Sequence, residues 1–393
     1  MVAGNAYELN LKYEGEPLDL DPRSYSFAIV DSIFDSFPKV ILTINDVAGF
    51  YQEHLFGVEG SNLEIEFGYA KGKTSKLPLV FLSNEIDSVD GTDRISGTVK
   101  YVLTHKWYKK QNIKSRAFDD RISSIVREIL KSSDFSKINI NDTGNKSIWY
   151  QPLMSDIDFI QKILIPKAYS NNSGRSPFYF FITSNNEANL IHYRAMLNNT
   201  VPGEFRYGAG DDQEETINTI FSIKRLHLGS QVTKSYRNIR VFSGDNNGSF
   251  NELDSISIND FPSSLSGKVP IIFDSNDFTD YMTFQEKESY GEQENNKGKR
   301  INHFKNVIGL EKFVITIPFN PTIVSGKSIN LITVAANSTS SDPSLNYSGK
   351  YVVEESNHLW AGIGGTGLTK LIISRKTIKA PSSEITLTRK LGG

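Results

Sequence analysis

The chain has no cysteine in its 393 residues, which excludes disulfides, thiolate metal sites and a cysteine nucleophile. A chain without thiols behaves alike in reducing and oxidising surroundings, so its redox compartment is left open. An excess of charge of one sign is also missing. The 43 Lys and Arg nearly balance 45 Asp and Glu, so the basic footprint of a protein that grips nucleic-acid phosphates over its whole surface is absent. No window reaches the roughly 18 apolar residues that a membrane-spanning helix needs, and Met1 to Glu8 carries neither a basic region nor an apolar core of signal-peptide length. Nothing marks the chain for Sec export or for a membrane.

Chemistry is equally sparse. The six histidines, His54, His105, His192, His227, His303 and His358, include no pair at the i, i+4 spacing of a metalloprotease helix, and they read as surface or turn residues. No serine sits in a Gly-x-Ser-x-Gly elbow. Gly362-Ile363-Gly364-Gly365-Thr366-Gly367 lacks the Lys-Ser/Thr ending of a phosphate loop and lies between two strand-like runs, so it reads as a hairpin loop. Asp211 to Glu215 reads as a solvated linker. The expectation is no catalytic residue, no cofactor, no metal site and no enzymatic activity.

Aromatic residues and alternation are what the sequence does have. With 24 Phe and 17 Tyr, the composition leans toward β structure. Residues 7 to 105 alternate apolar and polar side chains, as in Tyr7, Leu9, Leu11, Tyr13 and in Leu63, Ile65, Phe67. Pro38, Gly57, Gly60, Gly68, Gly72, Pro78 and Gly91 are placed between the runs as turn residues. The period then changes: Ile122, Ile125, Val126, Ile129 and Leu130 predict an amphipathic helix near 118–131. Ser155 is a candidate N-cap for a second helix over 156–165, with Asp156 and Asp158 against the positive end of its dipole and Pro166 ending it. Phe178 to Thr183, a turn at Ser184 to Asn189, and Leu190 to Tyr193 predict a β-hairpin over 178–193. Phe159 and Ile160 are expected to pack between that hairpin and the first helix.

Alternation returns at Ile217 to Leu228, Tyr236 to Phe242 and Phe313 to Ile317. Residues 245–300 read as an irregular insertion, with an exposed loop over Glu286 to Lys299 and a weak helix at Ile301, Phe304, Val307 and Ile308. The main regularity is an internal repeat. Val58, Gly60, Leu63 and Ile65 have the spacing of Val324, Gly326, Ile329 and Leu331. Each set precedes a second strand, Leu79 to Ile86 or Lys350 to Glu355, and a third ending in basic residues, Thr98 to Lys106 or Leu368 to Lys376. The two β regions are therefore predicted to be related.

The order of these parts, with Trp149, Tyr150, Gln151, Asp156, Asp158, Phe159 and Ile160 and then Phe178 to Phe181, resembles the baseplate central hub protein of contractile-tailed phages, related to the hub portion of type VI secretion spike proteins. Pro321 to Leu331 with Gly326, Gly349 to Val353, His358 and Arg375 fit the same pattern. The fold class expected is α+β, mostly β: two related tube-type β-barrel domains with an α/β helix-hairpin module inserted between them. The boundaries are 1–113, 114–205 and 206–393. The resemblance implies a homotrimeric, structural adaptor between a sixfold tail tube and a threefold central spike. Further partners would be baseplate wedge proteins, and DNA would pass through the channel without specific binding. The location would be the virion tail baseplate, assembled in the host cytoplasm. Glu64, Glu66, Asn330 and Thr333 are candidates for a lumen that should be neutral to acidic. A β-rich carbohydrate- or receptor-binding module is the other reading, supported by the rigid contact area that Tyr and Trp supply.

Overall fold

The computed structural model describes residues 7–21, 24–46, 57–69, 74–88, 97–144, 146–170, 176–207, 218–226, 236–244, 250–257, 273–274, 279–284, 311–333, 347–361, 366–375 and 378–379. Within them the molecule is mostly β, and one 13-stranded sheet dominates. Its first half follows from alternation. Leu63, Ile65 and Phe67 are buried while Glu64 and Glu66 between them are not, as the two-residue period of a strand requires. The strands Tyr25–Ser32, Lys39–Asp46, Gly97–His105, Thr74–Ser88 and Asn62–Tyr69 lie side by side in that order. Their inward residues form one apolar core with Phe319 and Trp360 from the far end of the chain.

The second half repeats the first. Ser222–Leu226, Glu311–Pro318, Thr366–Arg375, Gly349–Ala361 and Ser328–Thr333 are neighbours in the corresponding order. Their core is built from Phe205, Phe313, Ile315, Ile329, Tyr351 and Ile373 among others. The halves join where residues 355–361 pair antiparallel with residues 26–32. The sheet is open: among the described strands no pairing closes it into a barrel.

Between the halves lies the α/β module. The helix Ile122–Leu130 buries Ile122, Ile125, Val126, Ile129 and Leu130, the apolar stripe read from the sequence. It starts later than expected, because Lys114–Asp120 is a strand paired with Ser147–Met154. Phe118 in that strand enters the module core, packed parallel to the Phe159 ring at 5.7 Å between centroids. The second helical stretch begins at Asp156, but only Asp156–Asp158 is α-helical; Phe159–Leu164 winds as a π-helix and Ile165–Lys167 as a 3-10 turn. Pro166 sits inside that last turn rather than beyond the helix, at an early position where its missing N–H costs no bond. The hairpin has strands Phe178–Ile182 and Glu187–His192 with a shorter turn than expected, and Tyr193 already opens the helix Tyr193–Asn198. Phe159 and Ile160 are fully buried among the hairpin and helix side chains, as expected.

Other placements differ from the sequence reading. Gly68 and Pro78 lie inside strands rather than between them. Tyr236–Gly244 is a strand, but it pairs with Phe250–Ser257 and Thr279–Phe284 in a small sheet of its own. The expected loop and weak helix over 286–308, the linker at Asp211 to Glu215 and Gly362 to Gly365 fall outside the described residues. The strands flanking that glycine segment pair with Ala361 opposite Thr366.

Candidate functional site

The site that the fold builds is an arrangement of sheet edges and junctions. Its first component is the duplicated turn. Gly60 and Gly326 have φ of +83° and +79°, the left-handed region in which glycine avoids a Cβ clash. The Gly60 N–H donates to Phe81 O at 2.9 Å and the Phe81 N–H to Ser61 O at 3.1 Å. The same pair recurs from Gly326 to Val353 O at 2.9 Å and from Val353 to Lys327 O at 2.8 Å. Downstream, Asn62 faces Val80 as Ser328 faces Val352. The next ladder carries a bulge at the same place, between Phe81 and Ser83 in one half and between Val353 and Glu355 in the other. Shared bulges are positional features of a fold. Through these registers Leu103 corresponds to Ile373 and His105 to Arg375.

The equivalent positions differ in what covers them. A Cβ at Gly326 would lie 2.4 Å from the Phe181 ring of the hairpin, whereas one at Gly60 would meet nothing within 4 Å. Val58 is 49% exposed and Val324 only 2%. Beside the open turn is a groove of about 620 Å³ lined by Val80, Leu82, Tyr108, Ile113, Leu153 and Ile157 among others. The module hairpin thus covers one of the two turns and leaves the other bare.

Asp31 holds the junction. Its carboxylate accepts from the backbone N–H of Ser184 in the module hairpin turn at 2.8 Å, from the N–H of Ser325 in the second duplicated turn at 2.8 Å, and from the Ser356 hydroxyl at 2.9 Å. Nearby, buried His358 bonds Thr369 Oγ1 through Nδ1 at 3.1 Å, and Thr369 accepts from the Asn320 N–H. Burial pushes the His358 pKa down to about 4.

The Trp149 to Ile160 signature proves to be a latch. The Trp149 indole N–H donates to Asp120 O at 3.0 Å. The strand is irregular between Gln151 and Met154, and Leu153 there has a φ of 44°. Gln151 Nε2 ties that irregularity to the helix start, donating to Met154 O at 2.8 Å and to Asp156 Oδ1 at 3.1 Å. Buried Asp156 also pairs with Lys114 and Arg116. Its main role is therefore to join the strand Lys114–Asp120 to the helix, beyond the dipole contact expected of it. Ser155 is the N-cap: its Oγ accepts from the Asp158 N–H at 3.1 Å and donates to the Asp158 carboxylate at 2.8 Å, and that carboxylate also pairs with Lys162.

Two sequence readings of histidine are corrected. His105 and His358 are buried rather than superficial. His105 bonds Asn186 Oδ1 at 2.8 Å and accepts from the Trp107 N–H at 3.1 Å. His192 is the N-cap of Tyr193–Asn198, accepting from the Ala195 N–H at 3.1 Å. His54, His227 and His303 lie outside the described residues. Of the lumen candidates, Thr333 is buried and bonded to Ser348, while Glu64 and Glu66 pair with Lys12 and Lys76. Sequence reasoning missed Asp31, because a lone acidic residue in a strand gives no signal of partners more than 150 positions away.

No family model and no curated protein sequence matches the chain. Solved structures do. The 43 kDa tail protein of prophage MuSo2 from Shewanella oneidensis matches with a TM-score of 0.59 at 10% identity, over 95% of this chain and 99% of that one. A tail protein from Neisseria meningitidis MC58 matches with a TM-score of 0.55 at 7% identity, over 95% of this chain and 100% of that one. The fold is that of phage tail proteins, as the resemblance implied.

Proposed function

We propose that three copies of the chain form the baseplate hub of a contractile tail, a ring joining a sixfold tail tube to a threefold central spike around a DNA-conducting channel. The observation that carries this reading is the duplicated five-strand unit whose two copies pair edge to edge within one chain. Three chains supply six such units, and a head-to-tail arrangement of them closes as a pseudo-sixfold ring. The open sheet fits this reading, since tube-type units of residues 1–113 and 206–393 would complete a barrel only together with their neighbours. The α/β module of residues 114–205 covers the turn at Gly326 and not the turn at Gly60. Covered and bare turns would then alternate around the ring, which gives a sixfold structure a threefold pattern on that face.

The role is structural and not catalytic, and the location is the virion tail baseplate after assembly in the host cytoplasm. The partners are a second and third copy of the chain, tail tube or tube-initiator proteins, the central spike and baseplate wedge proteins. Light scattering on the purified chain tests the reading: three times the chain mass is expected, and a monomer at every concentration overturns it.

A further inference from the structure

Within the chain the two units meet along one seam, where Leu359 lies opposite Ala28 and Asn357 opposite Val30. The register equivalences carry this seam onto the other half of the molecule. There residues 83–88 stand where 355–360 stand, and Ser222–Leu226 stands where 26–30 stand. Both of these segments are sheet edges. Residues 83–88 pair with 97–102 on one side, and among the described residues no strand lies on the other. Among the described residues Ser222–Leu226 pairs only with residues 312–316 and ends the sheet.

We infer that these two edges pair with each other between neighbouring copies, antiparallel, with Asp87 opposite Lys224 and Glu85 opposite Leu226; the inference rests on the ring reading above. The charges support it independently of the register. In that register Lys224 is directly across from position 87 and diagonal to position 85. The segment 83–88 contributes Asp87 besides Glu85, which also pairs with Lys100 in its own sheet, and Ser222–Leu226 contributes Lys224 and Arg225. Two copies of either edge repel, and unlike edges attract, so the contact is head-to-tail and selects ring over isologous dimer. The corresponding seam inside the chain carries Asn357, Leu359, Val30 and Ala28 at these positions. Joined by one chain, it needs no charge to choose its partner.

The absence of cysteine makes the test direct. Opposed residues of an antiparallel pair have Cα atoms about 4.5–5.5 Å apart, within disulfide range. Asp87→Cys and Lys224→Cys chains, mixed under mild oxidation, should give a covalent dimer that neither gives alone. The double variant should give a covalent closed species of three chains. Ala28→Cys with Leu359→Cys serves as the intrachain control. A chain that is trimeric by light scattering, closes the control bond and yet forms no Asp87–Lys224 link would overturn the seam and leave the hub reading standing. A chain that is monomeric and unlinked overturns both. Charge reversal gives a second readout that does not depend on thiol chemistry: Asp87→Lys should weaken assembly at least tenfold, and adding Lys224→Asp should recover it. Failure of the double reversal to recover assembly, with an unchanged far-UV spectrum, counts against the pairing.

Discussion

Asp31 carries three hydrogen bonds to segments that the sequence keeps far apart, and a buried carboxylate accepting from two backbone amides has no neutral substitute. Asp31→Asn keeps the shape but can turn an amide N–H toward the Ser184 N–H, leaving donor against donor. The expected cost is about 2–4 kcal/mol, the loss of charge-assisted bonds plus a stranded buried donor, read as a lower denaturation midpoint. Phe159→Ala should cost about 3–5 kcal/mol, as for other core aromatics, because Phe159 is fully buried and lies against Phe118; an unchanged midpoint would refute that packing. The histidines set an acid limb. Burial holds His105 and His358 at about 4 in the folded chain, below the ordinary 6.5. The folded state then binds fewer protons than the unfolded state, so this stability is present above about pH 6.5 and is lost as pH falls toward about 4. His105→Gln, whose amide can still donate to Asn186, should show a smaller fall in thermal midpoint across that window.

At the scale of elements, the duplicated turns allow a paired measurement. Both glycines adopt positive φ, so alanine at either pays for the left-handed backbone, about 1–2 kcal/mol. Only Gly326→Ala also drives a methyl against Phe181, so it should destabilise clearly more than Gly60→Ala; equal effects would mean that the hairpin does not seal the second turn. These turns were legible in the sequence because a Val-x-Gly spacing followed by alternation reports a local backbone event. The helix Ile122–Leu130 was legible for the same reason, since its stripe is local and strongly periodic. Lys114–Asp120 was not, because its mostly charged and polar residues form a strand only by pairing with Ser147–Met154. The π-helical winding after Asp158 also left no trace, as an apolar run fits α and π geometry alike. Gln151 and Asp156 were visible as a motif, yet their link to Arg116 was not, and it depends on a strand irregularity that no spacing announces.

For the whole molecule, the face of the large sheet opposite its apolar cores is the surface that a ring of such sheets would turn toward a channel, and several of its lysines stand beside carboxylates. Lys12 pairs with Glu64, Lys76 with Glu66 and Lys100 with Glu85. A lysine with a carboxylate beside it releases few counterions on meeting a phosphate, so DNA would pass through the proposed channel without being held. The purified chain should therefore bind DNA no more tightly than the roughly 10⁻⁴–10⁻⁶ M of non-specific contacts, with a shallow dependence on salt. Glu64→Gln together with Glu66→Gln frees Lys12 and Lys76 without touching the seam residues. That variant should bind DNA more tightly at low salt, and the slope of log affinity against log salt should steepen by one to two for the two lysines released in each chain that contacts the strand. Fluorescence anisotropy with a labelled duplex over a salt series measures both quantities. Tight, steeply salt-dependent binding by the unaltered chain would show that its basic residues are not neutralised by their partners, and the neutral lumen would have to be given up.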